Sequence, residues 1–302
     1  MSALPRALTQ RGEVSQARRV LALIAVLALG LLVVPASATP SGASATIATE
    51  YAGKVRSFNY YVAPRVPTRT PVPLLIVLHG LYLDPGTAEA SSGMDAIADS
   101  QDVALAYPAG LNGSWNAGIC CGDAHAQHLD DVGFLIHVVQ LVAQLRPIDL
   151  DRVYLAGFSN GGMMALKAAC DRPDVFAAAV SMSGTLQTPC QGRRPVSALM
   201  LHGLQDTTIP YAGQRHSSFL GTPITPVPTS AARLAARSAC VDNLLQKARR
   251  YSTKVYVGCA ESTSVQLITA PALGHRWPTK AHDGIDGGGI AWAFLSAHRR
   301  LG

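Results

Sequence analysis

The chain has 302 residues, 48% of them hydrophobic and 15% charged, which excludes a disordered tail and supplies ample material for a buried core. Its formal net charge of +6 falls to +3 once residues 1–38 are set aside, so its basicity implies no nucleic-acid partner.

Those first 38 residues read as a secretory signal peptide. Arg18 and Arg19 precede Val20–Val34, an unbroken run of apolar residues and glycine, and Pro35 with the small-x-small Ala36-Ser37-Ala38 follows. The run falls short of the ~20 residues of a spanning helix. Cleavage after Ala38 is therefore expected, with a secreted or cell-envelope location and membrane attachment only through an uncleaved segment. No cysteine stands at the cleavage site to take a lipid. Both the general secretory and the twin-arginine routes fit. Residues 39–302 are expected to form one catalytic domain.

In that part, residues 39–50 are small and polar and read as a mobile lead-in. Val55–Val62 reads as an edge strand, and Pro73–His79, with Leu-Leu-Ile-Val-Leu, as a strand buried on both faces. Thr87–Ser100 reads as one helix and Val103–Tyr107 as a short strand. Ala109–Asp131, rich in Gly, Asn, Cys and Trp, is a long loop of the kind that carries function. Asp131 opens an amphipathic helix to about Leu145, its acidic start suited to the helix dipole. A strand at Asp151–Phe158, a helix at Gly161–Cys170 and strands at Ala177–Ser183 and Ser197–Gly203 come next. Thr207–Thr229 is a Pro- and Gly-rich connection, and Ser230–Cys240 a helix. A hairpin spans Val255–Val257 and Val265–Ile268, and Gly287–Leu301 closes as a helix. Strands alternating with helices imply one largely parallel sheet covered on both faces.

All six cysteines (Cys120, Cys121, Cys170, Cys190, Cys240 and Cys259) follow the signal segment. An even number in an exported chain points to disulfides, and no C-x-x-C or H-x-x-x-H spacing points to zinc. The expected pairs are Cys240 with Cys259, and Cys170 with either Cys120 or Cys121.

Gly157-Phe158-Ser159-Asn160-Gly161 falls between a strand and a helix. That context makes Ser159 a nucleophile at a strained corner rather than a simple helix cap, since a cap needs neither flanking glycine. In such architectures the acid and the histidine follow the serine in chain order, each after a later strand. Asp206, just beyond Ser197–Gly203, fits the acid. His275, between the strand ending near Ala270 and the last helix, fits the base. His79 and His202 read as loop-shaping. The oxyanion donors are expected to be the amides of Asn160 and Leu81, with Tyr82 as the second choice for the latter.

These motifs together resemble the secreted esterases of the α/β-hydrolase fold that include polyhydroxybutyrate depolymerase-like, feruloyl and acetylxylan esterases, with the LpqC-like proteins nearby. The resemblance runs from about Gly53 to Leu301. It rests on Leu78-His79-Gly80, Trp115–Gly122, Asp130–Phe134, Gly157–Gly161, Leu201-His202-Gly203 with Asp206, and Gly274–Pro278. It implies hydrolysis of a small-molecule or polymeric carboxylic ester with no metal or cofactor. It also implies that Tyr82, Trp115 and Trp277 lie near the substrate, with core packing the rival role for both tryptophans, and that Asp130 and Asp131 hold the loop and cap a helix. The same architecture also serves acyl transfer, peptide hydrolysis or non-catalytic binding.

Overall fold

Val72–Leu78 forms the strand on which the sheet is organised, β3, with all seven residues buried. The computed structural model describes residues 42–64 and 69–300. The expected signal segment 1–38 and its cleavage site lie outside the described residues.

In chain order the elements are β1 (Ala43–Tyr51), β2 (Lys54–Val62), β3, α1 (Pro85–Ser92), α2 (Met94–Gln101), β4 (Ala104–Pro108), α3 (Gly122–Ala126), α4 (Asp131–Leu145) and β5 (Ile148–Phe158). There follow α5 (Asn160–Asp171), β6 (Ala178–Met182), β7 (Ser197–Gly203), α6 (Val227–Arg237), β8 (Asp242–Lys247), β9 (Ser252–Val257), β10 (Val265–Ala270), α7 (Lys280–Asp283) and α8 (Gly287–Ser296). One sheet runs β1-β2-β4-β3-β5-β6-β7-β10-β9-β8. Its centre, from β4 to β10, is parallel, and antiparallel strands extend both margins.

Side chains alternate across this sheet, so β3 feeds two cores. Leu74, Ile76 and Leu78 pack with Phe134, Val138, Met164 and Leu234 from α4, α5 and α6. Leu75 and Val77 pack with Ala88, Met94, Ala98, Phe294 and Leu295 from α1, α2 and α8. Helix α4 shows what holds such an element. Phe134, Leu135, Val138, Val139 and Val142 bury one stripe, and the Asp130 carboxylate accepts from Gly133 N–H at the N-terminus. The chain leaves helical geometry at Arg146, before Pro147. Each buried side chain contributes about 1.5–3 kcal/mol, so packing holds this valine-rich helix more than propensity does.

Four expectations are corrected. Of the expected mobile lead-in 39–50, the part from Ala43 on is a strand: Ala43–Tyr51 pairs along its whole length with β2, so β1 and not β2 is the edge strand. Expected helix 87–100 is two helices, parted at Gly93, where the chain turns left-handed. A further strand, β8, pairs with β9 outside the expected hairpin. The last helix ends at Ser296, short of Leu301.

Cysteine pairing is corrected too. Cys240 joins Cys259 as expected, but Cys170 joins Cys190, and Cys120 joins its neighbour Cys121. The reason lies in α5. Cys170 is at its C-terminal end, whereas the Cys120 loop is tied to Asn160 at its start, and twelve helical residues put those ends ~16 Å apart.

Candidate active site

Strand β5 delivers Ser159 to a corner from which α5 departs. Ser159 holds φ 55° and ψ −121°, a conformation that side-chain-bearing residues rarely adopt. Its own N–H is secured to Met182 O at 2.8 Å. The two glycines are there for close approach. A Cβ on Gly157 would strike the Gly161 carbonyl, and one on Gly161 would strike the carbonyls of Leu78 and His79. The motif thus presses the loop after β3 against the start of α5.

Asp206 lies beyond the end of β7 and His275 beyond the end of β10, and the parallel pairing of those strands brings both toward Ser159. His275 Nε2 is 3.0 Å from Ser159 Oγ, and Nδ1 is 2.8 Å from Asp206 Oδ2. Asp206 Oδ1 accepts from the N–H groups of Thr208 at 3.0 Å and Ile209 at 2.8 Å. Burial acts to raise the Asp206 carboxyl, but hydrogen bonds from His202, His275 and Ile209 and the charge of His275 outweigh it, holding the group well below the usual carboxylate range. It stays an anion facing the imidazole. The Phe158 ring lies against His275, with centroids 4.8 Å apart.

The first turn of α5 supplies Asn160 N–H, which has no intrahelical partner by its position. The loop after β3 supplies Leu81, whose N–H has no hydrogen bond among the described residues. Tyr82, the second choice, is already committed: its N–H donates to Gly113 O at 2.6 Å. His79 shapes this loop. Gly110 N–H donates to its Nε2 at 2.9 Å, so the proton sits on Nδ1, 2.8 Å from Gly80 O, and burial pushes the imidazole's pKa down.

Trp115 and Trp277 do not offer open ring faces. Trp115 is fully buried, and its Nε1–H donates to His79 O at 3.0 Å. Its backbone is clamped by the Asn160 amide, which accepts from Trp115 N–H at 2.8 Å and donates to Trp115 O at 3.0 Å. It therefore bears on the site by tying down the His79 carbonyl and the side chain of Asn160, which follows the serine. Trp277 is buried beside Phe158 and Leu83. Tyr82 is the exposed member, at 67%, and its ring meets the exposed Phe219 edge-on at 6.4 Å.

Two contributors, Arg56 and His202, were not foreseen in these roles, whereas Asp130 and Asp131 cap the helix and hold the loop as expected. Arg56 and Asp131 form a buried ion pair at 2.9 Å, and the same carboxylate takes Asn116 N–H at 2.8 Å. Burial pushes the Asp131 carboxyl up while Arg56 pulls it back. His202 sits behind Asp206, its Nε2 3.3 Å from Oδ2. Its spacing to the acid, His202-Gly203-Leu204-Gln205-Asp206, was visible, but nothing in it says that the strand end and the loop fold back together. Among the described residues no three His, Cys, Asp or Glu side chains converge as metal ligands do.

Comparison with known proteins bears on this geometry. The chain is 31% identical over 267 residues to NocK of Nocardia uniformis subsp. tsuyamanensis, a proposed esterase, covering 81% of this chain and 77% of that one. The chain belongs to the α/β-hydrolase esterase family. Within this esterase, residues 113–191, from the Trp115 loop through the serine corner to Gln191, match the model of the prolyl oligopeptidase family. It is 29% identical over 215 residues to feruloyl esterase B of Piromyces equi, covering 67% of this chain and 39% of that protein. Its fold is shared with an acetyl xylan esterase from Aspergillus awamori, with a TM-score of 0.58 at 16% identity over 80% of this chain and 94% of that one.

Proposed function

We propose that the mature protein is an exported serine esterase that works through Ser159, His275 and Asp206 and a covalent acyl-enzyme. The single observation that carries the reading is the continuous line of contacts from Asp206 Oδ2 through both His275 nitrogens to Ser159 Oγ. His275 Nε2 takes the Ser159 proton as Oγ attacks the ester carbonyl. The Asn160 and Leu81 amides receive the oxyanion, and Asp206 stabilises the imidazolium. His275 then protonates the departing alcohol. Water repeats the sequence to release the acid. The cycle as written calls on no metal or cofactor, and its partner is a small or polymeric ester.

We assign Tyr82 and Phe219 to the substrate rim, since two exposed rings from separate loops meet beside the oxyanion loop. That rim fits the apolar part of a short-chain, hydroxycinnamoyl, acetyl-polysaccharide or hydroxyalkanoate ester. The names of the feruloyl and acetylxylan esterase relatives support the middle two. Three disulfides accord with an oxidising compartment, as the reading of residues 1–38 requires.

Ser159→Ala is expected to lower the rate on p-nitrophenyl acetate by ~10⁴-fold or more while leaving the circular dichroism spectrum unchanged. Full retained activity sinks the assignment. A panel of methyl ferulate, acetylated xylan and hydroxybutyrate oligomers then ranks the acyl groups.

A further inference from the structure

His202 is fully buried at the end of β7, and the reaction as written does not use it. Its Nε2 lies 2.8 Å from Ile209 O and 3.3 Å from Asp206 Oδ2. Both neighbours are acceptors, so Nε2 carries a proton and points it between them. The bond to Ile209 O is the shorter. It pins the 206–209 turn, whose Thr208 and Ile209 N–H groups grip the other carboxylate oxygen. Oδ2 is also the oxygen that receives His275 Nδ1 at 2.8 Å. Two imidazoles therefore converge on one carboxylate oxygen, one facing the serine and one facing the core. The titratable groups around His202 among the described residues are Asp206, His275 across it, and Tyr211, whose ring stands edge-on at 6.1 Å. The Tyr211 hydroxyl is engaged with Thr269 Oγ1, on the strand paired with His202.

We propose that His202 is a positioning residue for the acid–base pair: it fixes the Asp206 turn and, by sharing Oδ2, sets how strongly that oxygen holds the protonated His275. This goes beyond a loop-shaping role and rests on the Ser159, Asp206 and His275 assignment. The sign follows from what remains when the imidazole is removed. Asp206 Oδ1 keeps its two backbone donors, so the carboxylate stays in place, while Oδ2 loses its competing donor and becomes a better acceptor for the His275 imidazolium. Imidazolium then persists to higher pH, and the acidic limb of kcat/KM moves up.

The test compares wild type with His202→Leu, which removes the donor, and His202→Gln, whose amide nitrogen reaches the position of Nε2. The expected result for His202→Leu is a limb about half a pH unit higher with KM little changed. His202→Gln is expected to return the limb to the wild-type position. Coincident limbs in all three proteins overturn the proposal, whatever happens to their melting temperatures. Should His202→Leu fail to fold, wild type alone decides. Nitrogen-15-edited NMR is expected to show the His202 ring N–H moving through the same midpoint as the activity limb, and a resonance that stays still across it overturns the proposal. Loss of the parent assignment is distinguishable, because it shows as activity that survives Ser159→Ala.

Discussion

Two regions hold the proposed nucleophile, and they are built on opposite principles. The 157–161 corner carries its signature in one place: its backbone conformation and its two glycines lie within five consecutive residues, even though the carbonyls that demand glycine at 161 belong to Leu78 and His79. The 109–131 loop is assembled from afar. Arg56 on β2 neutralises Asp131, Asn160 on α5 clamps Trp115, and Tyr51 on β1 donates to Asp130, the cap of α4. A feature written within one short segment can be read from that segment. A feature whose residue types are scattered, with partners 45 to 79 residues apart, cannot, even when every residue type in it is plain to see.

The comparison can be broken at either region, and the corner should break hardest. Gly161→Ala places a Cβ against the Leu78 and His79 carbonyls, backbone that cannot swing aside. It is expected to cost more than about 4 kcal/mol or to leave the serine displaced. A melting curve together with esterase rate reads both outcomes. Normal stability and rate in that variant contradict the close-approach account.

Arg56→Ala should come next. It leaves Asp131 buried at under 2% exposure without its cation, at a cost of about 3–5 kcal/mol. It also loosens the Asn116 backbone, so activity is expected to fall ahead of the global melt. Hydrogen exchange at Trp115–Cys121 in the folded state measures that loosening. Exchange no faster than wild type shows that the Asn160 clamp is sufficient alone.

The smallest effect lies away from both regions and serves as a control. Asp95 accepts the Tyr107 hydroxyl at 2.6 Å, and burial, aided by Glu89 and Asp99, pushes its carboxyl up to about 6 against the opposing pull of that hydrogen bond. A raised pKa means the folded state binds the proton more tightly than the unfolded one. The stability it brings is present below the unfolded value near 4 and is lost as pH rises through 6. Asp95→Asn, still able to accept from Tyr107, is expected to be about 1 kcal/mol more stable than wild type above pH 7, discounted for partial exposure. Denaturant melts at pH 5 and pH 8 check it, and the gain should shrink at the lower pH without any change in kcat.

The same contrast explains how much was legible. β3 and α4 were readable because their apolar patterns match the burial each element meets, and Ser159, Asp206 and His275 could be nominated because chain order at strand ends brings His275 within 3.0 Å of both the serine and the acid. β1 was misread because Ala43–Tyr51 has little apolar character of its own. It is a strand through its ladder to β2 across the tight Ala52-Gly53 turn, where both residues have positive φ. Cys170 was mispaired because pairing depends on which end of α5 each partner reaches. Trp115 was left between the substrate's surroundings and the core because an indole looks the same in sequence whether its ring faces solvent or its N–H reaches for His79 O.

The most direct measurement is the intact mass of the folded protein after brief exposure to a fluorophosphonate, followed by peptide mapping. The account predicts one phosphonyl adduct per chain, confined to Ser159, lost in Ser159→Ala and slowed at least a hundredfold in His275→Ala, given a general-base contribution of ~10²–10⁴. An unmodified protein, or an adduct on any other residue, contradicts it.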